Sequence, residues 1–169
     1  QFDGVHPAGN VGTHIHYLDP VSLSKTVWTI GYQDVIAIAK LFETGELPVD
    51  RVVAIGGPKA NNPRLVRTRL GASLEELLKD ETATDCEIRP ISGSVFGGRR
   101  GTGPCAYLGR FDNQVSVLEE GYKRHFMGWL SPGANKFSVL NIYLSKFMGS
   151  KKFDLTTTTN GSERAMVPV

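Results

Sequence analysis

An α+β fold is predicted by three features of the sequence. Between Arg51 and Ser94, two short β-branched stretches flank a turn, a capped helix follows, and a further apolar stretch resumes extended structure. That succession of strand, strand, helix and strand reads as the opening of a β-grasp sheet with one helix across its face. Ahead of it Tyr32–Thr44 has the pattern of a buried helix, and behind it short β-prone runs recur between turn signals.

The elements follow in chain order. Thr13-His14-Ile15-His16-Tyr17 and Thr26-Val27-Trp28-Thr29-Ile30 are rich in β-branched and aromatic residues and are predicted as strands. In Tyr32–Thr44, Val35, Ile36, Ala37, Ile38, Ala39, Leu41 and Phe42 point in almost every direction around a helix axis, so burial on several sides is expected. Gly31 precedes this helix and Gly45 follows it as a left-handed C-cap. Strands alternating with a helix suit the tail of an α/β domain whose earlier strands lie outside this sequence. Glu46-Leu47-Pro48-Val49-Asp50 reads as a linker into the next module.

That module opens with Arg51-Val52-Val53-Ala54-Ile55, a strand bounded by Gly56-Gly57-Pro58. Asn61-Asn62-Pro63 supplies turn chemistry, and Leu65-Val66-Arg67-Thr68-Arg69-Leu70 alternates as a half-buried strand does. Ser73 and Glu76 have the spacing of a capping box, in which the hydroxyl accepts from a backbone N–H of the first helical turn. Glu87-Ile88-Arg89-Pro90-Ile91-Ser92 resumes extended structure and ends at Gly93.

From Val95 to Pro104, Gly97, Gly98, Gly101 and Gly103 crowd into a basic stretch that predicts a mobile or ligand-facing loop. It does not join a strand to a helix N-terminus, as a dinucleotide phosphate cradle would require. Ala106-Tyr107-Leu108, Gln114-Val115-Ser116-Val117-Leu118 and Phe126-Met127-Gly128-Trp129-Leu130 are β-prone runs between turn signals and read as hairpins. Lys136 to Met148 fits a helix and a strand equally, Thr156 to Gly161 is a polar turn, and Arg164-Ala165-Met166-Val167 reads as a returning strand.

The composition is that of an ordinary globular protein: 169 residues, 40% hydrophobic and 21% charged, which allows one domain or two small ones. A formal charge of +2, with Lys and Arg scattered, argues against a nucleic-acid partner. Cys86 and Cys105 lack C-x-x-C spacing, which argues against an iron–sulfur cluster or a structural zinc and suits free thiols of a reducing compartment. No apolar run approaches the roughly 18–20 residues that cross a bilayer. Gln1-Phe2-Asp3-Gly4-Val5-His6-Pro7 has no signal-peptide character, and both ends read as cut from a longer polypeptide.

Chemistry-bearing residues are few. His14 and His16, two apart on the predicted strand, would share a face, with Asp19 and His6 near in sequence. They are candidates for contact with a ligand or neighbouring subunit, for a metal, or for a structural pair held by backbone hydrogen bonds. Arg99 and Arg100 in the glycine-rich stretch are further contact candidates. Arg64, Arg67 and Arg69 give the second strand a basic row that meets an acidic partner or is solvated. Trp28, Trp129, Phe96, Phe126 and Phe137 suit core packing or stacking on a planar ligand ring, and His125 beside Lys123 and Arg124 suits a solvated edge. No Ser or Cys has the context of an activated nucleophile, so no catalytic, cofactor-binding or metal residue is assigned.

Long words of the chain carry a resemblance. They include His6-Pro7-Ala8-Gly9, Gly12-Thr13-His14-Ile15-His16-Tyr17-Leu18-Asp19-Pro20, Gly31-Tyr32-Gln33-Asp34-Val35, Asn62-Pro63-Arg64-Leu65-Val66-Arg67-Thr68, Leu70-Gly71-Ala72-Ser73-Leu74-Glu75-Glu76-Leu77 and Asn160-Gly161-Ser162-Glu163-Arg164-Ala165-Met166-Val167-Pro168. In these the chain resembles, over nearly its whole length, the NqrA family of the sodium-translocating NADH:quinone oxidoreductases. The resemblance implies a three-part layout. Residues 1–46 close a Rossmann-like domain, residues 47–103 form a soluble-ligand-binding β-grasp (SLBB) module, and residues 104–169 belong to a partial β-rich, barrel-like domain. It also implies a respiratory complex that passes electrons from NADH to quinone and exports sodium. This piece would be inactive alone and hold no redox group; NADH, flavin, iron–sulfur and quinone are expected elsewhere in the complex. Its partners would be the membrane subunits, with a quinone as a further ligand, at the cytoplasmic face of a bacterial inner membrane. The rival reading is a stand-alone β-grasp protein that binds a soluble ligand such as a corrinoid.

Overall fold

Two units divide the chain, Gln1–Pro48 and Val49–Val169. The computed structural model describes residues 1–5, 7–95, 97–122, 126–127, 130–136, 143–149, 153–154 and 156–157.

In the first unit, the segment predicted as a strand at Thr13–Tyr17 lies in a helix, α1 (Val11–Leu18). Local contacts override the weak β preference of its residues. The Thr13 hydroxyl donates to the Pro7 carbonyl at 2.9 Å, and His14 Nε2 bonds the Ala8 carbonyl at 2.7 Å. These bonds fold the preceding turn back onto the first turn of the helix. The Thr26–Ile30 strand is absent too; those residues form no regular element and follow a small turn closed by a bridge between Ser22 and Lys25. Helix α2 (Tyr32–Thr44) has the limits its glycines predicted. Gly31 is the N-cap, and Gly45, at φ 74°, donates its N–H to the Leu41 carbonyl at 2.9 Å. Its expected burial is not observed: no side chain of α2 is buried, and Phe42 is 86% exposed. An all-round apolar sequence shows that a helix can pack on several sides, not that it does.

The second unit is built on β1 (Asp50–Gly56), β2 (Arg64–Arg69), β3 (Ile88–Ser92), β4 (Arg99–Arg100) and β5 (Gln114–Glu119), with α3 (Leu74–Leu77) between β2 and β3. The sheet runs β2-β1-β5-β3-β4. Strand β5 lies parallel to β1, and the other neighbours are antiparallel. A hairpin, a crossing helix and a late strand inserted parallel to the first form the β-grasp arrangement, and the class is α+β as predicted. Ser73 caps α3, its hydroxyl accepting from the Glu76 N–H at 3.4 Å. The cap turns Leu74, with Leu78 beyond it, down onto Val53, Ile55, Val115 and Val117, and Leu108 closes the same core.

Three expectations for the later residues change. Gln114–Leu118 is not one arm of a hairpin but most of the central strand. Val115, Ser116, Val117 and Leu118 are all buried. A strand covered on both faces reads as a continuous run rather than an alternation. The glycine-rich stretch is not a loose loop, because it contains β4, which pairs with Ile91 and Ser92 of β3. Gly101 is buried, and its N–H donates to the Pro90 carbonyl at 2.8 Å. A Cβ at Gly101 would collide with Leu74, and one at Gly98 with Ile91 and the backbone of Ser92 and Ser94. Glycine is needed there for close approach rather than for motion. Ala106–Leu108 is not a strand either. It bonds the start of α3, with Leu108 N–H to the Ala72 carbonyl and Leu74 N–H to the Ala106 carbonyl, both at 2.9 Å.

Further on, Leu144–Phe147 is a short 3-10 turn and Thr156 bridges Glu119 in parallel. The strand predicted at Arg164–Val167, most of the turn at 156–161 and much of the ambiguous stretch from Lys136 lie outside the described residues. Among the described residues, no helix is long and apolar enough to cross a membrane.

Candidate functional site

The histidine cluster does not form as expected. On α1, positions two apart are separated by roughly 200° around the axis, so His14 and His16 face opposite ways. His14 is half-buried and stacks on Phe2 with ring centroids 4.3 Å apart. His16 is exposed and meets Tyr17 edge-on at 5.0 Å. Asp19, the C-cap residue, is ion-paired with Lys25. Each residue thus serves a local contact, and His6 lies outside the described residues. Among the described residues, no group of three or more His, Cys, Asp or Glu side chains is placed to hold a metal ion.

Arg99 and Arg100 are adjacent on β4 and point to opposite faces of the sheet. Arg99 donates to the Tyr107 carbonyl at 3.1 Å and lines a shallow pocket of about 230 Å³ with Ser92, Gly98, Gly109, Arg110 and Asp112. In this pocket the Ser92 hydroxyl donates to the Asp112 carboxylate and accepts from the Gly109 N–H at 2.8 Å. Both hydrogen-bonding roles of the serine are therefore committed to holding neighbouring turns together. The rim is cationic and aromatic, with the Arg110 guanidinium 5.4 Å from the centre of the Phe111 ring. Such a pocket can hold a polar group by charge and hydrogen bonding.

On the other face Arg100 joins a buried ion cluster. Its Nη2 lies 3.6 Å from Glu120 Oε2. Glu120 also accepts from Arg89 Nε at 2.9 Å and Nη2 at 2.5 Å, and from the Thr157 hydroxyl at 2.7 Å. Burial pushes the Glu120 carboxyl up, but the bonds from Arg89 and Thr157 and the nearby guanidinium charges outweigh it and hold the group below the ordinary carboxylate range. The cluster ties β3, β4 and the segment after β5 together. Sequence reasoning missed Arg89, Glu120, Ser92 and Asp112. Partners 31 and 20 positions apart leave no local signal.

The basic row on β2 also resolves differently. Arg67 and Arg69 share a face with Leu65, whereas Arg64 points the other way and pairs with Glu81. That bond raises the Arg64 guanidinium and lowers the Glu81 carboxyl relative to their ordinary values. Of the aromatic residues, Trp28 and Phe126 are 89% and 95% exposed rather than packed; Phe96, Trp129 and Phe137, like Lys123, Arg124 and His125, lie outside the described residues.

The described residues thus form a β-grasp sheet with a charged edge and, in a separate unit, a two-helix segment. Comparison with known proteins gives the family. Residues 1–47 match the model of the NqrA second alpha/beta domain, and residues 52–103 match that of the NQRA C-terminal domain, of SLBB type. The A-subunit of the Na(+)-translocating NADH-quinone reductase of Hahella chejuensis is 66% identical over 169 residues, covering 100% of this chain and 38% of that protein. The proteins of the same name from Saccharophagus degradans and Cellvibrio japonicus are 67% and 66% identical over 99% and 100% of the chain. The chain belongs to the NqrA family. It spans 37–38% of the length of these relatives.

Proposed function

We propose that this chain is a non-redox part of the peripheral NqrA component of a respiratory complex that transfers electrons from NADH to quinone and couples this to sodium export. The observation that carries the reading is identity of 66–67% across the whole chain to proteins named as the A-subunit of that reductase. Its role is to support assembly or quinone access at the cytoplasmic face of the inner membrane, held there by membrane subunits. NADH, flavin, iron–sulfur and quinone sites belong elsewhere in the complex. The geometry is consistent with this division. The Glu120 cluster and the Ser92–Asp112 bond stiffen the sheet, while Arg99 and Arg100 stand on the short edge strand β4, where a partner or a polar head group can reach them.

Affinity purification of the tagged full-length NqrA protein from membranes tests the reading. Copurification with flavin-bearing membrane subunits is expected, together with a colourless purified chain that does not oxidise NADH. A soluble monomer that keeps a small molecule such as a corrinoid would replace this reading by the stand-alone binding protein. Stoichiometric flavin absorbance on the chain itself would end it.

A further inference from the structure

The outer edge of the sheet at β2 is the strongest unabsorbed feature, and it has a defined chemistry. The Leu70 N–H donates to the Val49 carbonyl at 2.9 Å, so that pair is a bonded one. Bonded and non-bonded pairs alternate in an antiparallel ladder. By the register of β1 and β2, the pairs Thr68/Arg51, Val66/Val53 and Arg64/Ile55 are then bonded, and Leu65, Arg67 and Arg69 turn their N–H and C=O groups away from β1. Strand β2 ends the sheet, so among the described strands no neighbour takes up these groups, although the Arg69 carbonyl is engaged by the following turn, accepting from the Ala72 N–H at 3.1 Å. Their side chains share one face with Val52, where Leu65 is 71% exposed and the Arg67 side chain 73% exposed. Among the described residues of the paired strand β1, the only acid opposite them is Asp50, 3.9 Å from Arg67 and itself exposed, so the face keeps a positive excess.

From this we propose that β2 is a strand-addition site for an extended acidic segment of another protein of the complex. Strand addition takes affinity from main-chain hydrogen bonds and specificity from alternate side chains. Here those side chains present an apolar seat at Leu65 and guanidinium groups at Arg67 and Arg69. The six residues of β2 give an edge of roughly 20 Å, enough for a short added strand. Arginine on an edge strand also guards against indiscriminate pairing. A second copy of this chain would set arginine against arginine, which like-charge repulsion opposes, whereas a segment carrying Asp or Glu at alternate positions is attracted. The proposal rests on the assembly role given above.

Hydrogen exchange of the full-length NqrA protein, free and in the purified complex, tests it. In the free protein, the amides of Leu65, Arg67 and Arg69 are expected to exchange quickly and those of Val66 and Thr68 slowly. In the complex the first three should slow by roughly tenfold or more. The double variant Arg67→Glu, Arg69→Glu should lose that added protection while Val66 and Thr68 stay protected, which shows that the sheet remains folded. Three results would each overturn the inference: no added protection in the complex, full protection already in the free protein, or protection that survives the double variant. Copurification with an unprotected edge sinks this inference alone; failure to copurify sinks the assembly role with it.

Discussion

The two units use their apolar residues in opposite ways. Neither helix of Gln1–Pro48 buries a side chain, although α2 carries Val35, Ile36, Ile38, Leu41 and Phe42. In Val49–Val169 a helix of only four residues, α3, buries Leu74 completely enough to anchor the core of a five-stranded sheet. Length and apolar content therefore do not decide burial. What decides it is a complementary surface, and β1 and β5 offer one to α3. The first unit instead relies on local bonds: backbone ladders, the Gly45 cap and the stacking of Phe2 on His14.

The contrast can be broken most directly at Leu74. Leu74→Ala removes a fully enclosed side chain and should cost about 4 kcal/mol by calorimetry or denaturant melting of the second unit. Phe42→Ala on α2 should change stability by less than about 0.5 kcal/mol. Equal costs at the two sites would show that α2 is covered after all.

The ion cluster sharpens the same comparison through charge. Glu120→Gln should destabilise the second unit by about 3 kcal/mol, because Arg89 would be left facing a neutral partner; Arg89 is 24% exposed, which keeps the loss at the low end for buried pairs. The pH dependence follows from the direction of the shifts. Glu120 and Glu81 are both held below the ordinary value of 4.5, so the folded state binds fewer protons than the unfolded state. Their contribution is present above that value and is lost as pH falls through the lower folded-state values. A melting temperature followed from neutral pH to about pH 3 should therefore drop in acid, and less steeply in Glu120→Gln. Superimposable profiles would remove the cluster from the account.

The smallest effect concerns the helix caps. Ser73→Ala should cost about 1 kcal/mol, since the hydroxyl accepts from the Glu76 N–H. Asn10, the N-cap of α1, makes no side-chain cap bond, and Asn10→Ala should leave the melting midpoint within a degree or so. A larger loss at Asn10 than at Ser73 would reverse the ranking of the two units.

Much of the fold was legible. The limits of α2, the Ser73 cap and strands β1 to β3 follow from residues that stand next to one another: glycine at a left-handed cap, serine ahead of a helix, β-branched runs between turns. The candidate site was far less legible. The spacing of His14 and His16 suits one face of a strand, and a helix with its own local bonds separates them. Arg99 and Arg100 stand where the glycine-rich stretch suggested, but the partners that define their surroundings, Tyr107 and Glu120, were not foreseen.

By itself the sequence determined where the chain turns, where helix α2 starts and stops, where α3 starts, and that the module from Arg51 to Ser94 is sheet with one helix. Those outcomes depend on dihedral preferences and caps acting over a few residues. Tertiary structure alone decided that Gln114–Glu119 sits at the centre of the sheet, that glycines 98 and 101 are packing sites, and that Glu120 is enclosed by arginines. The reason is physical: pairing of distant strands and burial of charge depend on which surfaces meet, and a neighbour's identity is not written in the residues beside it.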